Sequence, residues 1–425
     1  MVDARRTLSV LLVLLFIVSA AASQKATTTP PDTLFQQGMT SYAGGHYRKA
    51  IEAFAAMRDT SSPRTLFYTA MSHLSLNDVQ QGIPLLRKAV MLEPLNTGYR
   101  FQYARILAQS GSADLAASEY AALIASDSAF TAARYQLGLL HYEQKRYREA
   151  VEQFTAVVEL NPGDYLSYYY MSSSLVNLAQ VDSARPYLAS CISLNPKYTP
   201  AITLLASIYY SAGEHQEALR LYKSASAQRP QDPELSYKIG LCYGKLGRID
   251  SALAYTSRAA RRDTANDLYI AQTGYYHLIQ ERYDSALASY RKAVQIDGEN
   301  SLYFINMAYA FSQTKANDSA VAAYERGVAA CRPENIAAIY LRLGTLYYYQ
   351  KSYRKALSSY QQALDLQPMN SEAQYYVALA HDQLANPQSA IRSYRKYLAL
   401  ARDDTTAAER VRKKQAGDRL RTLRR

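Results

Sequence analysis

The sequence has no tryptophan, few cysteines and none of the short motifs that mark common catalytic sites. Its 425 residues include three cysteines, Cys191, Cys242 and Cys331, and an odd number spread along the chain excludes a disulfide framework. A thiol on an apolar helix face behaves as a small hydrophobe, so we expect Cys191 to be buried. The sequence contains no H-E-x-x-H, G-x-S-x-G, C-x-x-C or phosphate-binding glycine loop. We therefore expect no enzymatic activity, no cofactor and no bound metal.

Long apolar runs are also missing, apart from one short run near the start. Two arginines precede an apolar run from Leu8 to Val18, and small residues follow up to Ser23. This order predicts a secretory signal over residues 1–23, cleaved before Gln24, and export to the periplasm or envelope of a bacterium. The run is shorter than the ~20 residues of a membrane-spanning helix, so we expect no stable membrane span after cleavage. An uncleaved anchor is the alternative. Residues 24–31 are predicted to be a polar linker.

What the sequence does contain is a repeated amphipathic unit, seen most clearly in residues 133–162. Apolar and small residues recur there at three- and four-residue steps in two sets, each of which predicts one stripe on a helix. The first set contains Leu137, Gly138, His141 and Tyr142, and the second contains Ala150, Phe154 and Val157. Gly138 and Ala150 are small enough to lie where the two helices cross most closely. Pro162 ends the second helix, so the segment is predicted to be a helix, a turn and a helix.

The same unit recurs along most of the chain. We call the small residue early in each second helix the mark of its repeat, and successive marks are 34 residues apart except for one spacing of 32 and one of 36. The eleven marks are Ala50, Gly82, Ala116, Ala150, Ala184, Ala218, Ala252, Ala286, Ala320, Ala356 and Ala390. A large apolar or aromatic residue follows each mark by four positions, except at Thr256, and another small residue precedes each mark by twelve positions. Five units close with a proline, at Pro94, Pro162, Pro196, Pro230 and Pro368.

A 34-residue period with these small, large and proline positions resembles the tetratricopeptide repeat family over residues 32–402. The resemblance implies an all-α fold, a right-handed superhelical solenoid of about eleven helix-turn-helix repeats that form one continuous superhelix. The sequence departs from the family in lacking the early tryptophan and in replacing four closing prolines, where we expect altered junctions. The replaced positions are Ser128, Thr264, Gly298 and Arg402. The two extra residues before Ala356 predict a longer loop at Cys331–Asn335.

The C-terminal segment 403–425 is predicted to be a basic capping helix. The formal net charge of the chain is +12, and residues 405–425 supply +6 of it. Its weak apolar stripe contains Ala408, Val411, Gln415, Leu420 and Leu423. Its candidate electrostatic residues are Arg410, Arg412, Lys413 and Lys414. These charges either attract an acidic partner or an anionic envelope surface, or keep a capping helix soluble. Nucleic acid is not expected as a partner of an exported protein.

Histidine recurs at one position of the repeat, which has a structural explanation beside a functional one. Four histidines in non-adjacent repeats share one position, so no two can share a metal, and we expect them in or near the core. They are His73, His141, His277 and His381.

The triplet Asp-Ser-Ala recurs at the start of second helices, beginning at Asp182, Asp250, Asp284 and Asp318. We expect its Asp or Ser to cap the helix, while the triplet also resembles an acceptor of O-glycosylation in some bacterial envelopes.

The strongest functional signal is aromatic, because the chain contains 39 tyrosines. In the tetratricopeptide repeat family the first helix of each repeat lines a concave groove, notably through the residue three positions before the small one. Seven of the eleven residues at this position are aromatic, namely Phe35, Phe67, Phe101, Tyr135, Tyr169, Tyr237 and Tyr375. Four positions after the small residue come Tyr42, Tyr142, Tyr210 and Tyr348. These eleven rings, here called the aromatic set, are predicted to form a partner-binding groove. The alternative is that they fill gaps between repeats.

The early repeats lack the basic clamp with which chaperone-docking members of the family hold a C-terminal carboxylate. Phe35, Met39, Phe67 and Met71 occupy the equivalent positions. We therefore predict a non-enzymatic protein–protein interaction scaffold of the cell envelope that binds extended partner segments through apolar and aromatic contacts. The alternative is a carbohydrate-binding subunit of a polysaccharide or cell-wall assembly or export machine, in which tyrosines stack on sugar rings.

Overall fold

A computed structural model of the chain describes residues 33–57, 59–330 and 336–423. Within these ranges all regular secondary structure is α-helical, in 23 helices that we number α1 to α23. The predicted signal, linker and longer loop, at residues 1–23, 24–31 and 331–335, lie outside the described residues. No helix within the described ranges is both long and apolar enough to cross a bilayer.

The helices alternate between first and second members of eleven pairs. The first helices are α1 (Thr33–Ala43), α3 (Pro63–Ser75), α5 (Thr97–Gln109), α7 (Thr131–Glu143), α9 (Tyr165–Asn177), α11 (Thr199–Ser211), α13 (Pro233–Lys245), α15 (Asp267–Ile279), α17 (Ser301–Gln313), α19 (Ile336–Tyr349) and α21 (Ser371–Gln383). The second helices are α2 (Tyr47–Ala55), α4 (Val79–Leu92), α6 (Ala113–Ser126), α8 (Tyr147–Leu160), α10 (Val181–Leu194), α12 (His215–Gln228), α14 (Ile249–Arg262), α16 (Tyr283–Ile296), α18 (Asn317–Ala330), α20 (Tyr353–Leu366) and α22 (Pro387–Leu400). The last helix is α23 (Ala407–Leu423). The predicted all-α class and helix-turn-helix repeats are confirmed.

The helices group into two compact units that divide between Ser190 and Cys191, inside α10. We call them unit 1 and unit 2 and describe each by itself. Cys191 is fully buried, as predicted, and so is Cys242. Burial raises the pKa of the Cys242 thiol to about 11, which keeps it protonated at neutral pH.

Inside a repeat, the small residue of the first helix lies against the large residue of the second. In unit 1 a Cβ atom added to Gly138 would come within 2.9 Å of the Phe154 ring. In unit 2 a Cβ atom added to Gly344 would come within 2.6 Å of the Tyr360 ring. The predicted close crossing of the helices at Gly138 is therefore confirmed, and a larger residue there would displace a buried ring.

The turn between the two helices has the same backbone conformation in every repeat. The residue five positions before each mark has a positive φ, which favours glycine. Glycine occupies this position in four repeats, at Gly45, Gly111, Gly213 and Gly247. The other seven use Asn77, Lys145, Ala179, Glu281, Lys315, Lys351 and Ala385. The next residue donates back into the first helix, as Arg146 N–H does to the His141 carbonyl at 2.8 Å, so each first helix ends in a Schellman motif.

One exception in the repeat pattern lies on a second helix. Thr256 of α14 stands where other repeats carry a large residue, and its Cγ2 atom would lie 2.7 Å from a Cβ atom added to Gly240 of α13. Further along α13, a Cβ atom added to Gly244 would lie 2.0 Å from the hydroxyl oxygen of Tyr276 from α15. The Tyr276 hydroxyl lies 3.4 Å from the Gly240 carbonyl, to which it donates. The side chain of Tyr276 therefore fills the space that the missing side chain of Gly244 leaves.

The Asp-Ser-Ala triplets of α14 and α16 do not cap their helices as predicted. The residues before α14 and α16, Arg248 and Arg282, take the N-cap position without a side-chain hydrogen bond. Asp250 lies inside the first turn of α14, where a carboxylate suits the helix dipole, and accepts from Gln280 Nε2 of the next repeat at 2.7 Å. Asp318 accepts from Gln350 Nε2 in the same way at 2.8 Å. In these two triplets the aspartate links neighbouring repeats.

Candidate functional site

The aromatic set lies entirely on or at the ends of first helices, but its members are mostly packed against other rings. Ten of the eleven are half-buried, and Tyr375 is only 5% exposed. The Tyr375 hydroxyl donates to Gln415 Oε1 of α23 at 2.7 Å, and its ring lies 5.1 Å from that of Tyr397. The prediction of Tyr375 as a groove residue is therefore corrected, because the last helix covers it.

In unit 1, the ring three positions before the small residue lies against the large residue of its own repeat. The ring centroids of Phe35 and Phe54 are 5.7 Å apart, and those of Tyr135 and Phe154 are 5.9 Å apart. Phe101 repeats this contact with a second-helix tyrosine. Aromatic pairs at such distances contribute about 0.5–1.5 kcal/mol each beyond simple burial. These members of the aromatic set therefore stabilise unit 1.

A second layer of rings joins one repeat to the next. Tyr170 stacks on Phe154 of the preceding repeat at 5.7 Å and meets Tyr142 edge-on at 5.3 Å. The Tyr142 hydroxyl also lies 2.8 Å from Ser173 Oγ of the next repeat. Tyr42 has the equivalent contact with Tyr68, and burial raises the pKa of Tyr42 to about 12. In unit 1 the rings largely fill the gaps between repeats.

The remaining members of the aromatic set also contact neighbouring rings. Phe67 stacks on a tyrosine of the following repeat, Tyr169 lies beside Tyr170, and Tyr237 lies 4.8 Å from Tyr269. Tyr210 contacts the ring of His215 at the start of α12, and Tyr348 contacts two tyrosines. Each of these rings is partly exposed, but none is among the most exposed apolar side chains of the first helices.

The most accessible apolar side chains on the first helices belong to unit 2 and were not predicted as site residues. They are Leu268 (54% exposed), Tyr275 (46%), Ile279 (45%), Leu302 (60%), Tyr309 (37%) and Tyr349 (72%). We call these six residues the apolar patch. On α15 the three residues are separated by seven and then four positions, which places them on one helix face. The Tyr303 hydroxyl of α17 donates to Asp267 of α15 at 2.5 Å, so these two first helices are in direct contact.

The helices that carry the apolar patch contain few charged residues. The sequence of α17 contains no Asp, Glu, Lys or Arg, while α15 contains only Asp267 and α19 only Arg342. Asp267 is engaged with Tyr303. The exposed residues of these three helices are therefore largely apolar.

The basic C-terminal helix uses most of its predicted electrostatic residues to hold itself in place. Arg412 pairs with Glu372 of α21 and with Glu409, whose carboxylate also accepts from the Tyr397 hydroxyl. Lys413 donates to two backbone carbonyls and Arg410 to one, and of the four residues Arg410 and Lys414 are exposed. The packed face of α23 consists of Glu409, Ala416 and Leu420, whereas Val411 of the predicted stripe is 56% exposed.

Histidines and acidic residues form no metal-binding group within the described ranges. His141 is buried, and His73, His277 and His381 are half-buried, as predicted. The His73 ring meets Asp78 at 2.9 Å, whereas the Nδ1 atoms of the other three have no hydrogen-bond partner among the described residues. Burial lowers the pKa of His141, His277 and His381, so these rings are neutral at pH 7.

Comparison with protein families gives one consistent result. One model described as tetratricopeptide repeat matches residues 69–129, 101–165, 135–197 and 341–405, and another matches 233–266 and 271–300. A model described as TPR repeat matches residues 206–247. Together the matches cover more than half of the chain.

Curated relatives match over shorter stretches. DnaJ homolog subfamily C member 3 of Rattus norvegicus is 25% identical over 207 residues, which are 45% of this chain and 41% of the relative. BBSome complex member BBS4 of Bos taurus is 25% identical over 129 residues, 30% of this chain and 25% of the relative. Hsp70-Hsp90 organizing protein 1 of Glycine max is 23% identical over 107 residues, 25% of this chain and 19% of the relative. The chain spans less than half the length of each of these relatives.

Solved structures similar to this chain include two smaller proteins and one of comparable length. MamA is 24% identical, with 40% of this chain and 92% of that one covered and a TM-score of 0.38. A tetratricopeptide repeat protein from Parabacteroides merdae is 16% identical, covering 59% of this chain and 98% of that one, with a TM-score of 0.42. Yeast Tom70 is 15% identical, covering 92% and 95%, with a TM-score of 0.37.

Proposed function

The chain belongs to the tetratricopeptide repeat family, and we propose that it is a non-enzymatic scaffold that binds apolar segments of partner proteins on its first helices. The observation that carries this proposal is the apolar patch, six large side chains exposed on α15, α17 and α19. Burying one leucine or aromatic side chain contributes about 1.5–3 kcal/mol, so a peptide that covers several of them gains enough to bind specifically.

The chemistry of the apolar patch limits the kind of partner segment that it would bind. Tyr275, Tyr309 and Tyr349 present large rings with few rotatable bonds and one hydroxyl each, which favours recognition of extended peptides. The scarcity of charge on α15, α17 and α19 favours partner segments rich in Leu, Ile, Phe or Tyr and poor in Lys and Glu. The half-buried rings of unit 1 are a weaker candidate for contact because they already contact one another.

We further propose that the scaffold works in the cell envelope of a bacterium. The support is the arrangement at the N-terminus, where Arg5 and Arg6 precede the apolar run from Leu8 to Val18. The test is the location of the expressed chain and the N-terminal residue of the mature protein, for which we expect Gln24. A chain that keeps Met1 and stays in the cytoplasm would contradict export.

The binding proposal can be tested with an array of extended peptides and the full chain. We expect the bound peptides to be enriched in large apolar residues and depleted in charged ones. A double variant, Leu302→Ser with Tyr309→Ser, should lose at least ~tenfold in affinity. The matched control is Leu115→Ser with Tyr187→Ser, because those side chains are 58% and 37% exposed on second helices, against 60% and 37% for Leu302 and Tyr309.

The patch variant should lose peptide affinity and the control variant should keep it, so the comparison tests the proposal directly. Equal binding by the patch variant and the parent, with both folded by circular dichroism, would contradict the proposal. A carbohydrate-binding subunit is the second candidate, because exposed tyrosine rings also stack on sugars. It would replace the first candidate if oligosaccharides, and not peptides, bind the parent and lose affinity for the patch variant.

A further inference from the structure

The exposed positive charge at the end of unit 2 lies on α22 as well as on α23, whereas the sequence alone indicated α23. On α23, Arg412 is paired with two carboxylates and Lys413 is bound to backbone carbonyls, so that Arg410 and Lys414 are the exposed members. On α22 all three basic residues are exposed, and they are Arg392, Arg395 and Lys396. We call these five exposed residues the basic surface.

The three basic residues of α22 lie on one face of that helix. Steps of three and four residues separate Arg392 from Arg395 and Lys396, and such residues are neighbours on a helix surface. Helix α22 contains no Asp or Glu. None of the three side chains forms a salt bridge within the part of the chain that the structure describes. Three like charges therefore remain uncompensated on one solvent-facing surface.

The segment around these residues is also basic. Residues 387–423 contain ten basic and four acidic residues. Two of the four carboxylates, those of Glu409 and Asp418, are paired with arginines of α23. The other two belong to Asp403 and Asp404, in the connection between α22 and α23. The two helices therefore present an excess of positive charge to solvent.

We propose that the basic surface binds the anionic headgroups of a phospholipid membrane. A basic side chain close to an anionic lipid surface raises the affinity roughly fivefold, so the five side chains together are sufficient for reversible attachment. Val411 of α23 is 56% exposed between two of these residues, Arg410 and Lys414, and adds an apolar group that can enter the headgroup layer. None of these residues belongs to the apolar patch, so the proposal does not rest on peptide binding.

An acidic protein segment is the weaker candidate for this surface. A cavity between α20, α21 and α22 is lined by Arg392 and Lys396, but also by Asp365 of α20. An acidic side chain that entered this cavity would be repelled by the Asp365 carboxylate. A membrane surface stays outside the cavity and is attracted by the excess of positive charge on the two helices.

The test is cosedimentation of the full chain with phospholipid vesicles at ~0.1 M salt, where electrostatic attraction extends over about 10 Å. One set of vesicles consists of phosphatidylcholine, and the other is a mixture of phosphatidylcholine and phosphatidylglycerol. We expect the chain to bind the anionic vesicles at least ~tenfold more tightly than the neutral ones. The difference should disappear at ~1 M salt, because screening then limits the attraction to about 3 Å.

Two triple variants separate this surface from the charge of the whole chain. The first is Arg392→Gln with Arg395→Gln and Lys396→Gln, which should lose at least ~tenfold in affinity for the anionic vesicles. The matched control is Lys49→Gln with Arg87→Gln and Lys88→Gln, which removes the same charge from exposed positions on α2 and α4 and should bind as the parent does. Circular dichroism checks that both variants keep their helix content.

Three results would overturn the proposal. They are equal binding of the parent to both kinds of vesicle, an equal loss in the two triple variants, and binding to poly-L-glutamate without binding to the anionic vesicles. The last result would favour an acidic protein segment instead. Both triple variants keep the apolar run from Leu8 to Val18, so binding through that run cannot produce a difference between them. The double variant of the apolar patch should bind the vesicles as the parent does, so a failure of the peptide proposal is recognised separately.

Discussion

The first helices of unit 1 and the helices α15, α17 and α19 of unit 2 use their aromatic and apolar residues in different ways. In unit 1, Phe35, Tyr135 and Tyr142 contact rings of their own and neighbouring repeats. In unit 2, Ala271, Ile305 and Leu341 take the position of Phe35, and the exposed apolar side chains lie at other positions of the same helices. The number of aromatic residues therefore does not measure binding surface, since position within the repeat decides whether a ring is used for packing or stays exposed.

The largest effect is expected from removing a ring on which unit 1 depends. Phe154 is fully buried and contacts Tyr135 and Tyr170. Phe154→Ala should lower the free energy of unfolding by about 3–5 kcal/mol, because it leaves a cavity that two rings cannot fill. Urea denaturation followed by circular dichroism measures the change. A loss below about 1 kcal/mol would mean that the ring contacts of unit 1 are not the basis of its stability.

A smaller effect is expected at the end of unit 2, where ion pairs supplement the packing of the last helix on tyrosine rings. Arg412→Ala removes the partner of Glu409, which is 4% exposed, and of Glu372. We expect a loss of about 1–3 kcal/mol and faster hydrogen exchange in α23, because a buried carboxylate loses its counter-charge. Lys414→Ala, on the exposed side of the same helix, should stay within about 0.5 kcal/mol of the parent. Similar losses for both variants would show that helix propensity, not the ion pair, holds α23.

The turns offer a test that places one substitution in each unit. Ala179 in unit 1 and Gly213 in unit 2 occupy the same turn position, with φ values of 60° and 82°. Ala179→Gly should raise the free energy of unfolding and Gly213→Ala should lower it, each by about 1 kcal/mol, because only glycine adopts this conformation without a steric cost. The urea midpoints should move in the same directions. Changes of the same sign in both variants would contradict the turn assignment.

The smallest effect on stability is expected in the apolar patch itself. Tyr309→Ala should lower the free energy of unfolding by less than about 1 kcal/mol, because the side chain is 37% exposed. Tyr135→Ala in unit 1 removes a ring with two aromatic contacts and should cost more. The same denaturation experiment compares both variants. If Tyr309→Ala proves the more destabilising of the two, the difference between the units described above is wrong.

The sequence was sufficient to predict contacts within one repeat and insufficient to predict those that depend on the neighbouring repeat. The contact of Gly138 with Phe154 follows from their spacing, because both lie in one repeat. The exposure of Tyr275 does not, because periodicity identifies a helix face without showing which rings the next repeat covers. Asp250 was predicted to cap its own helix, yet it accepts from Gln280, 30 residues further along the chain. Tyr375 was misassigned for the same reason, since α23 covers it.

The position of Tyr276 beside Gly244 has a consequence for any redesign of this chain from a repeat consensus. Gly244 occupies the repeat position of Tyr142, and a Cβ atom added to it would lie 2.0 Å from the Tyr276 hydroxyl oxygen. Gly244→Tyr would therefore place a second ring in space that Tyr276 already occupies, and it would damage the fold unless Tyr276 became smaller in the same step. The two positions have to be designed together, although each belongs to a different repeat.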